Sequence, residues 1–143
     1  MSIDNNLYEK SIKILTDLIA FKTISGQDNS NLIDYCEKIL NNIGINTFKV
    51  YDDDKKRVNL FGTLKAKNQS TKKPIILSGH TDVVPVSKGW SSDPFVATIK
   101  NDKLYGRGSC DMKGFIACTL AYAPIFKESN LDRDLHFLSL IHI

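Results

Sequence analysis

The feature that most constrains the fold is a short apolar segment that ends in polar residues. The segment Pro74-Ile75-Ile76-Leu77-Ser78 is typical of a strand in the middle of a covered sheet. It leads directly into Gly79-His80-Thr81-Asp82. Open α/β sheets bind their ligands just beyond the carboxyl ends of such strands. The sequence therefore predicts an α/β fold with polar chemistry at this edge of the sheet.

Helical and strand-like patterns alternate around this segment. Helical spacing of apolar residues occurs in residues 7–21, about 31–43 and about 112–122. Strand-like patterns occur in residues 45–51, 58–64, 95–105 (a hairpin turning at Asn101-Asp102) and 135–143. We expect Ser30 to cap the second helix, Gly44 to stop it, and Pro124 to end or kink the third. The last helix and strand then complete a strand, helix, strand unit around Asp111.

Length and composition limit the classes of protein to which the chain can belong. Its 143 residues fit one domain, and a net charge of +3 is too small and scattered for a nucleic-acid interface. No apolar run reaches the roughly 18 residues of a membrane span, and the first residues lack a secretory signal. We therefore expect a cytoplasmic protein with no nucleic-acid or membrane partner. Three cysteines without a C-x-x-C pair predict reduced thiols, most of them buried.

The first polar cluster, His80-Thr81-Asp82, allows three interpretations. In an extended segment the side chains of His80 and Asp82 point the same way, so the carboxylate can reach the imidazole. A zinc-bound histidine usually donates its other ring N–H to a partner such as this carboxylate. The same pair also suits a general base, and a histidine in a surface turn is the third interpretation. The cluster alone leaves all three open.

The second polar cluster places a carboxylate just ahead of a helix. Glycines in Gly106-Arg107-Gly108-Ser109-Cys110 let the backbone bend closely, and the helix dipole favours the charge of Asp111 at the helix N-terminus. A carboxylate held there can bridge two cations, or it can simply cap the helix. The glycine spacing does not match a phosphate-binding loop. A metal ligand and a helix cap therefore remain as alternatives.

Taken together, three segments resemble one known family. They are residues 78–86, residues 90–95 with Trp90 and Asp93-Pro94-Phe95, and residues 104–115. Their order and spacing resemble the co-catalytic zinc amidohydrolases and peptidases, a family that includes acetylornithine deacetylases, succinyl-diaminopimelate desuccinylases, aminoacylases and carboxypeptidase G. Within this family, Cys110-Asp111-Met112-Lys113-Gly114-Phe115 most resembles the acetylornithine deacetylases.

The resemblance implies a fold, a cofactor and site residues. It implies an α/β catalytic domain with a mixed, largely parallel sheet flanked by helices. Residues 1–143 would form its N-terminal part, truncated before the lid and dimerisation domain. His80 would bind one Zn²⁺, Asp111 would bridge two Zn²⁺ ions, and Asp82 would be the active-site partner of His80. Co²⁺ can substitute for Zn²⁺, the peptide bond from Asp111 to Met112 would be cis, and the full-length protein would be a homodimer.

The implied reaction is hydrolysis of an N-acyl amino acid. We predict a zinc-dependent hydrolase of linear amides that converts N-acetylornithine to ornithine and acetate in arginine biosynthesis. Succinyl-diaminopimelate desuccinylase, or a general aminoacylase or carboxypeptidase of the same family, is the alternative. The family's Glu-Glu pair, which supplies the general base and a zinc ligand, should follow the strand over residues 135–143, where this sequence ends. We therefore expect a fragment that is inactive by itself, and a non-catalytic truncated product is the alternative from another class.

Other polar residues and thiols near the motifs receive no functional role. Arg107 and Lys113 could face a substrate carboxylate, but loop packing and helix capping explain them equally well. Cys110 is expected to be a buried thiol, because the nearby base His80 is already assigned to metal. Cys118 is expected in the core, since it lies on the apolar face of its helix. His142 is expected to be a bystander in the terminal strand.

Overall fold

A computed structural model describes residues 5–68 and 70–141 of the chain. These ranges contain three α-helices, namely α1 (Asn5–Ala20), α2 (Ser30–Asn42) and α3 (Gly114–Glu128). They also contain six strands, namely β1 (Asn46–Tyr51), β2 (Val58–Leu64), β3 (Ile75–His80), β4 (Thr98–Lys100), β5 (Lys103–Tyr105) and β6 (Leu135–Leu140). No helix within these ranges is long and apolar enough to cross a membrane.

Every predicted helix is present, and two details of the helix ends differ from expectation. Gly44 follows α2 with a φ of 73°, which is the left-handed conformation that favours glycine at a helix end. Ser30 is not the N-cap, because α2 already begins at Ser30, whose amide donates to the carboxylate of Asp28. Pro124 does not end α3, which continues to Glu128. Buried residues of α3 on both sides of Pro124 pack against the core. Their burial outweighs the cost of about 3 kcal/mol for a proline inside a helix.

Four strands form one mixed sheet in the order β1-β2-β6-β3. β1 pairs with β2 and β2 pairs with β6 in antiparallel fashion, whereas β3 runs parallel to β6 with His80 opposite Leu140. β4 and β5 form a separate hairpin that turns at Asn101 and Asp102, as predicted. The mixed α/β class is therefore confirmed. The expectation of a largely parallel sheet is wrong for the described residues, because this four-stranded sheet has two antiparallel pairs of strands and one parallel pair. His142 and the end of the predicted terminal strand lie outside the described residues.

The core lies between one face of this sheet and the three helices. It joins Leu60 of β2 and Phe137 of β6 to Leu18 of α1, Leu32 of α2 and Leu120 of α3. All five side chains are at most 4% exposed. Burying a side chain of this kind stabilises the fold by roughly 1.5–3 kcal/mol, so this layer fixes where the ends of β3 and β6 lie relative to α3.

Within the described residues, the predicted position of residues 74–78 in the middle of a covered sheet is wrong. β3 lies at the edge of the four-stranded sheet and, within the described part of the chain, pairs only with β6. Ile75 and Ile76 are accordingly 48% and 53% exposed. Strand order depends on pairing between segments that are distant in sequence, so apolar composition alone does not distinguish a central strand from an edge strand.

Candidate metal centre

The imidazole of His80 stands at the carboxyl end of β3 and contacts both polar clusters. Its Nδ1 lies 3.0 Å from the backbone carbonyl oxygen of Asp82, and its Nε2 lies 2.9 Å from Oδ1 of Asp111. A carbonyl oxygen can only accept a hydrogen bond, so Nδ1 must carry the proton and donate it. The ring is therefore oriented with Nε2 towards the carboxylate of Asp111, a residue 31 positions away along the chain.

Asp82 contacts the imidazole through two of its atoms. The sequence predicts a contact with the carboxylate, but the backbone carbonyl is nearer, since Oδ1 of Asp82 lies 3.4 Å from Nδ1 of His80. The other carboxylate oxygen, Oδ2, accepts a hydrogen bond of 2.6 Å from Oγ of Ser25. The Asp82 carboxylate therefore lies between an imidazole and a hydroxyl group that comes from a distant loop.

Asp111 lies in an irregular turn, Ser109–Lys113, that leads into α3. Asp111 and Met112 have non-helical backbone angles, and the peptide bond between them is cis, as the resemblance implies. The turn follows Gly108, whose φ is 80° and where an added Cβ would lie 2.6 Å from Cγ1 of Val83. A glycine is therefore required at that position. The side chain of Asp111 is 87% exposed, and its carboxylate is open to solvent on the side away from His80.

The environment of His80 favours its protonated form. Partial burial lowers the pKa of His80, but the hydrogen bonds to the Asp111 carboxylate and the Asp82 carbonyl outweigh burial and raise that pKa above its ordinary value. Both ring nitrogens face acceptors, so the imidazolium form satisfies both in the absence of a metal. A cation that binds Nε2 would take the place of one proton there.

The three motif side chains border one cleft of about 270 Å³. Ser25, Val84, Arg107 and Cys110 also line it. The cleft is open to solvent, and it lies just beyond the carboxyl end of β3, where the sequence predicts the site. The structure thus brings His80, Asp82 and Asp111 together at the expected edge of the sheet, whereas their roles as ligands remain predictions.

Sequence reasoning missed a buried polar network behind these residues. Thr81, which is fully buried, accepts a hydrogen bond from Asn29 at its hydroxyl and one from Thr23 at its carbonyl. The Asn29 side chain also pairs with both the amide and the carbonyl of Val58. Asn29 and Thr23 lie in the loop after α1, which shows no recognisable motif. In the sequence, only the polar Thr81 inside the first cluster indicated that hydrogen-bond partners from elsewhere were needed there.

Lys113 and Arg107 have structural partners of their own. Lys113 is fully buried, and its Nζ donates to the carbonyl oxygens of Leu18 and Phe21 at the end of α1. Burial lowers the pKa of Lys113 to about 8. The guanidinium of Arg107 lies 5.2 Å from the ring centroid of Trp90. Helix capping for Lys113 and loop packing for Arg107 therefore account for these two residues.

Three expectations about the thiols are wrong, namely that most of them are buried, that Cys110 is buried and that Cys118 lies in the core. Cys36 is buried, and burial raises the pKa of its thiol to about 12, but Cys110 and Cys118 are exposed. Cys110 lies in the irregular turn at the mouth of the cleft rather than beneath it. The apolar face of α3 is wider than the strip that contacts the core, so Cys118 falls outside that strip.

The donor atoms at this site suit zinc as part of a larger ligand set. An imidazole nitrogen and a carboxylate oxygen are both common zinc ligands, and the second ring N–H of His80 is already held by an oxygen acceptor. Residues 5–68 and 70–141 contain no cluster of three or more potential metal ligands. Catalytic zinc sites usually have three protein ligands. His80 and Asp111 therefore fit two of the positions in such a site.

The chain is similar to known proteins. Residues 76–140 match Peptidase family M20/M25/M40. The chain is 38% identical over 125 residues to succinyl-diaminopimelate desuccinylase from Rickettsia akari, a match that covers 83% of this chain and 32% of the relative. It is 40% identical over 109 residues to acetylornithine deacetylase from Myxococcus xanthus, covering 74% of this chain and 28% of that relative. The chain thus spans about a third of the length of these curated relatives.

Solved structures show the same fold. The crystal structure of human carnosine dipeptidase 1 superimposes with a TM-score of 0.73, covering 95% of this chain and 32% of that one. The two sequences are 22% identical, so the likeness concerns the fold alone. It includes the mixed sheet and the helices that place the cleft at the end of β3.

Proposed function

We propose that this chain belongs to Peptidase family M20/M25/M40, which residues 76–140 match, and that it forms part of the metal centre of a zinc-dependent hydrolase of N-acyl amino acids. His80 and Asp111 are the proposed zinc ligands, and Asp82 is the residue that orients His80. The complete protein that carries residues 1–143 is proposed to bind two Zn²⁺ ions, with Co²⁺ as a substitute. Asp111 would serve as a ligand of both ions.

One observation carries the proposal. Oδ1 of Asp111 and Nε2 of His80 lie 2.9 Å apart at the mouth of a cleft, although the two residues are 31 positions apart in sequence. Two potential metal ligands converge there, and Nδ1 of His80 already donates to the backbone carbonyl of Asp82. A helix cap would not require Asp111 to face an imidazole from another element.

The residues of this chain would perform three tasks in the reaction. His80 and Asp111 hold the metal, Asp82 fixes the orientation of the imidazole, and the cleft admits the acyl group. Zinc bound by them would supply a Lewis acid that polarises the scissile carbonyl. The resemblance assigns the general base to a glutamate, and none of the residues that line the cleft in the described part of the chain is a glutamate. We therefore propose that the general base comes from outside residues 5–68 and 70–141.

Two substrates are proposed, and each is supported by a specific observation. The segment Cys110-Asp111-Met112-Lys113-Gly114-Phe115 resembles the acetylornithine deacetylases, which favours N-acetylornithine. Seven of eight curated relatives are named succinyl-diaminopimelate desuccinylase, and one is named acetylornithine deacetylase. Deacetylation is therefore not favoured over desuccinylation. An aminoacylase or carboxypeptidase activity is the broader alternative.

The setting in which the protein works is also part of the proposal. We propose that residues 1–143 are the N-terminal part of one catalytic domain, and that the complete protein acts as a homodimer in the cytoplasm. Its partner is a small N-acyl amino acid rather than a nucleic acid or a membrane. None of these statements is needed for the metal site itself.

The test is hydrolysis by the complete protein loaded with Zn²⁺ or Co²⁺. N-acetylornithine, N-succinyl-diaminopimelate and a dipeptide are assayed in parallel, and release of the free amine is measured. We expect one amide to be hydrolysed and His80→Ala to abolish that activity. His136→Ala is the matched control, because His136 pairs with Thr63 on β2, away from the cleft. Metal-loaded protein that hydrolyses none of the three amides would overturn the proposal and favour a non-catalytic product.

A further inference from the structure

The loop between α1 and α2 is attached along the segment that follows β3. The amide of Val83 donates to the carbonyl of Thr23, and the amide of Ser25 donates to the carbonyl of Val83. Beside these two backbone contacts, Thr23 donates its hydroxyl hydrogen to the carbonyl of Thr81. The loop is thus attached to the first polar cluster and to Val83 at Thr23 and at the backbone of Ser25.

Ser25 uses this fixed position to hold the Asp82 carboxylate. Its Oγ lies 2.6 Å from Oδ2 of Asp82, across 57 positions of sequence. The remaining contact of this carboxylate within the described residues is the 3.4 Å approach of Oδ1 to Nδ1 of His80. The hydroxyl group of Ser25 is therefore the stronger of the two restraints on the side-chain torsions of Asp82.

We propose that Ser25 is a positioning residue of the metal centre, which orients the Asp82 carboxylate so that Oδ1 faces the imidazole of His80. The inference rests on the proposed function, since it assigns Ser25 a role in that same site. Ser25 acts through Asp82, and Asp82 acts on the ring that binds the metal. The first polar cluster is thus supported by a residue that lies outside it.

The local chemistry separates this role from a contribution to stability. Ser25 is exposed at the cleft, and the Asp82 side chain, which is 15% exposed, keeps its contact with His80 when the hydroxyl is lost. The backbone bonds from Ser25 and Val83 do not depend on the side chain. We therefore expect Ser25→Ala to fold normally and to change the orientation of Asp82.

The direct test measures the χ1 rotamer of Asp82 in the metal-free chain by three-bond NMR couplings. We expect one rotamer in the wild type and in Ser25→Thr, which keeps the hydroxyl, and averaged rotamers in Ser25→Ala. Ser129→Ala is the matched control, because that hydroxyl donates to Ile125 at the end of α3. A single unchanged Asp82 rotamer in Ser25→Ala would overturn the inference.

A second measurement tests the consequence for metal. The Zn²⁺ dissociation constant of the complete protein is measured by competition with a chelator for the same three variants. We expect Ser25→Ala to weaken binding about tenfold, the lower end of the effect of groups that orient ligands, and Ser25→Thr to restore it. Unchanged affinity in Ser25→Ala would reject the role in metal binding. Absence of Zn²⁺ binding in the wild type would instead reject the proposed function, and the rotamer measurement would still decide the role of Ser25.

Discussion

The two sides of the candidate metal centre are built differently. On one side, the segment after β3 is held by backbone hydrogen bonds to β6 and to the loop after α1, and Thr81 within it is fully buried. On the other side, the side chain of Asp111 is 87% exposed, and its one hydrogen bond within the described part of the chain goes to His80. The histidine side is therefore fixed by the fold, whereas the aspartate side is a carboxylate on an open turn.

This difference indicates how such a site can be stably folded and still able to bind a cation. Buried and fully paired polar groups hold the imidazole in one orientation at little cost, because each donor has an acceptor. The exposed Asp111 carboxylate keeps free lone pairs for a cation and loses little solvation when it binds one. The expected free energies of unfolding of three variants test this comparison.

The largest destabilisation is expected from Asn29→Ala on the histidine side. The change removes three hydrogen bonds and leaves the amide and carbonyl of the buried Val58 without their side-chain partner. We expect urea denaturation to show a loss of about 3 kcal/mol in the free energy of unfolding. Asn41→Ala, at an exposed position, is the control and should cost less than about 0.5 kcal/mol. A loss below about 1 kcal/mol for Asn29→Ala would show that the hydrogen bonds of Asn29 do not stabilise the histidine side of the site.

An intermediate effect is expected from Gly108→Ala, where the two sides touch. The new Cβ would meet Cγ1 of Val83 at 2.6 Å, and a φ of 80° disfavours alanine. We expect the free energy of unfolding to fall by about 2 kcal/mol, measured by urea denaturation. Gly26→Ala is matched in backbone, with a φ of 84° and no atom within 4 Å of the new Cβ. Equal losses for the two variants would mean that the contact with Val83 is unimportant.

The smallest effect on stability is expected from Asp111→Asn on the aspartate side. Its exposed pair with His80 contributes little, so we expect thermal and urea unfolding of the metal-free chain to change by about 0.5 kcal/mol or less. In the complete protein, the same change should weaken Zn²⁺ binding more than tenfold, because a proposed ligand is altered. Asp53→Asn, in the turn between β1 and β2, should change neither quantity. A large loss of folding stability in Asp111→Asn would contradict this comparison, because it would show that the charge of the Asp111 carboxylate stabilises the fold.

Local patterns in the sequence were sufficient for the helices and strands, because side-chain periodicity reflects which face of an element is buried. Gly44 was correctly predicted to stop α2, and residues 95–105 contain the hairpin of β4 and β5. Pro124 was misjudged because tertiary packing overrode its local preference. The exposure of Cys110 and Cys118 was misjudged because it depends on which neighbours cover each turn.

The candidate site could be predicted as far as its residue types and its place at the sheet edge. His80, Asp82 and Asp111 were chosen from two motifs, and their convergence was an expectation that the 2.9 Å distance meets. Which atom of Asp82 contacts the ring was not predictable, because the backbone and the carboxylate both reach Nδ1. Ser25 and Asn29 were missed for the same kind of reason, since each acts on partners far away in sequence.

Short-range information thus specified the element types, the two polar motifs and the residues that could bind a cation, because these depend on neighbouring side chains and backbone preference. Long-range packing decided three features: β3 lies at an edge of the four-stranded sheet formed by the described residues, Lys113 caps the end of α1, and Ser25 holds Asp82. The physical reason is that a hydrogen bond across 57 positions exists only after the core has brought the two segments together. No local propensity encodes such a contact.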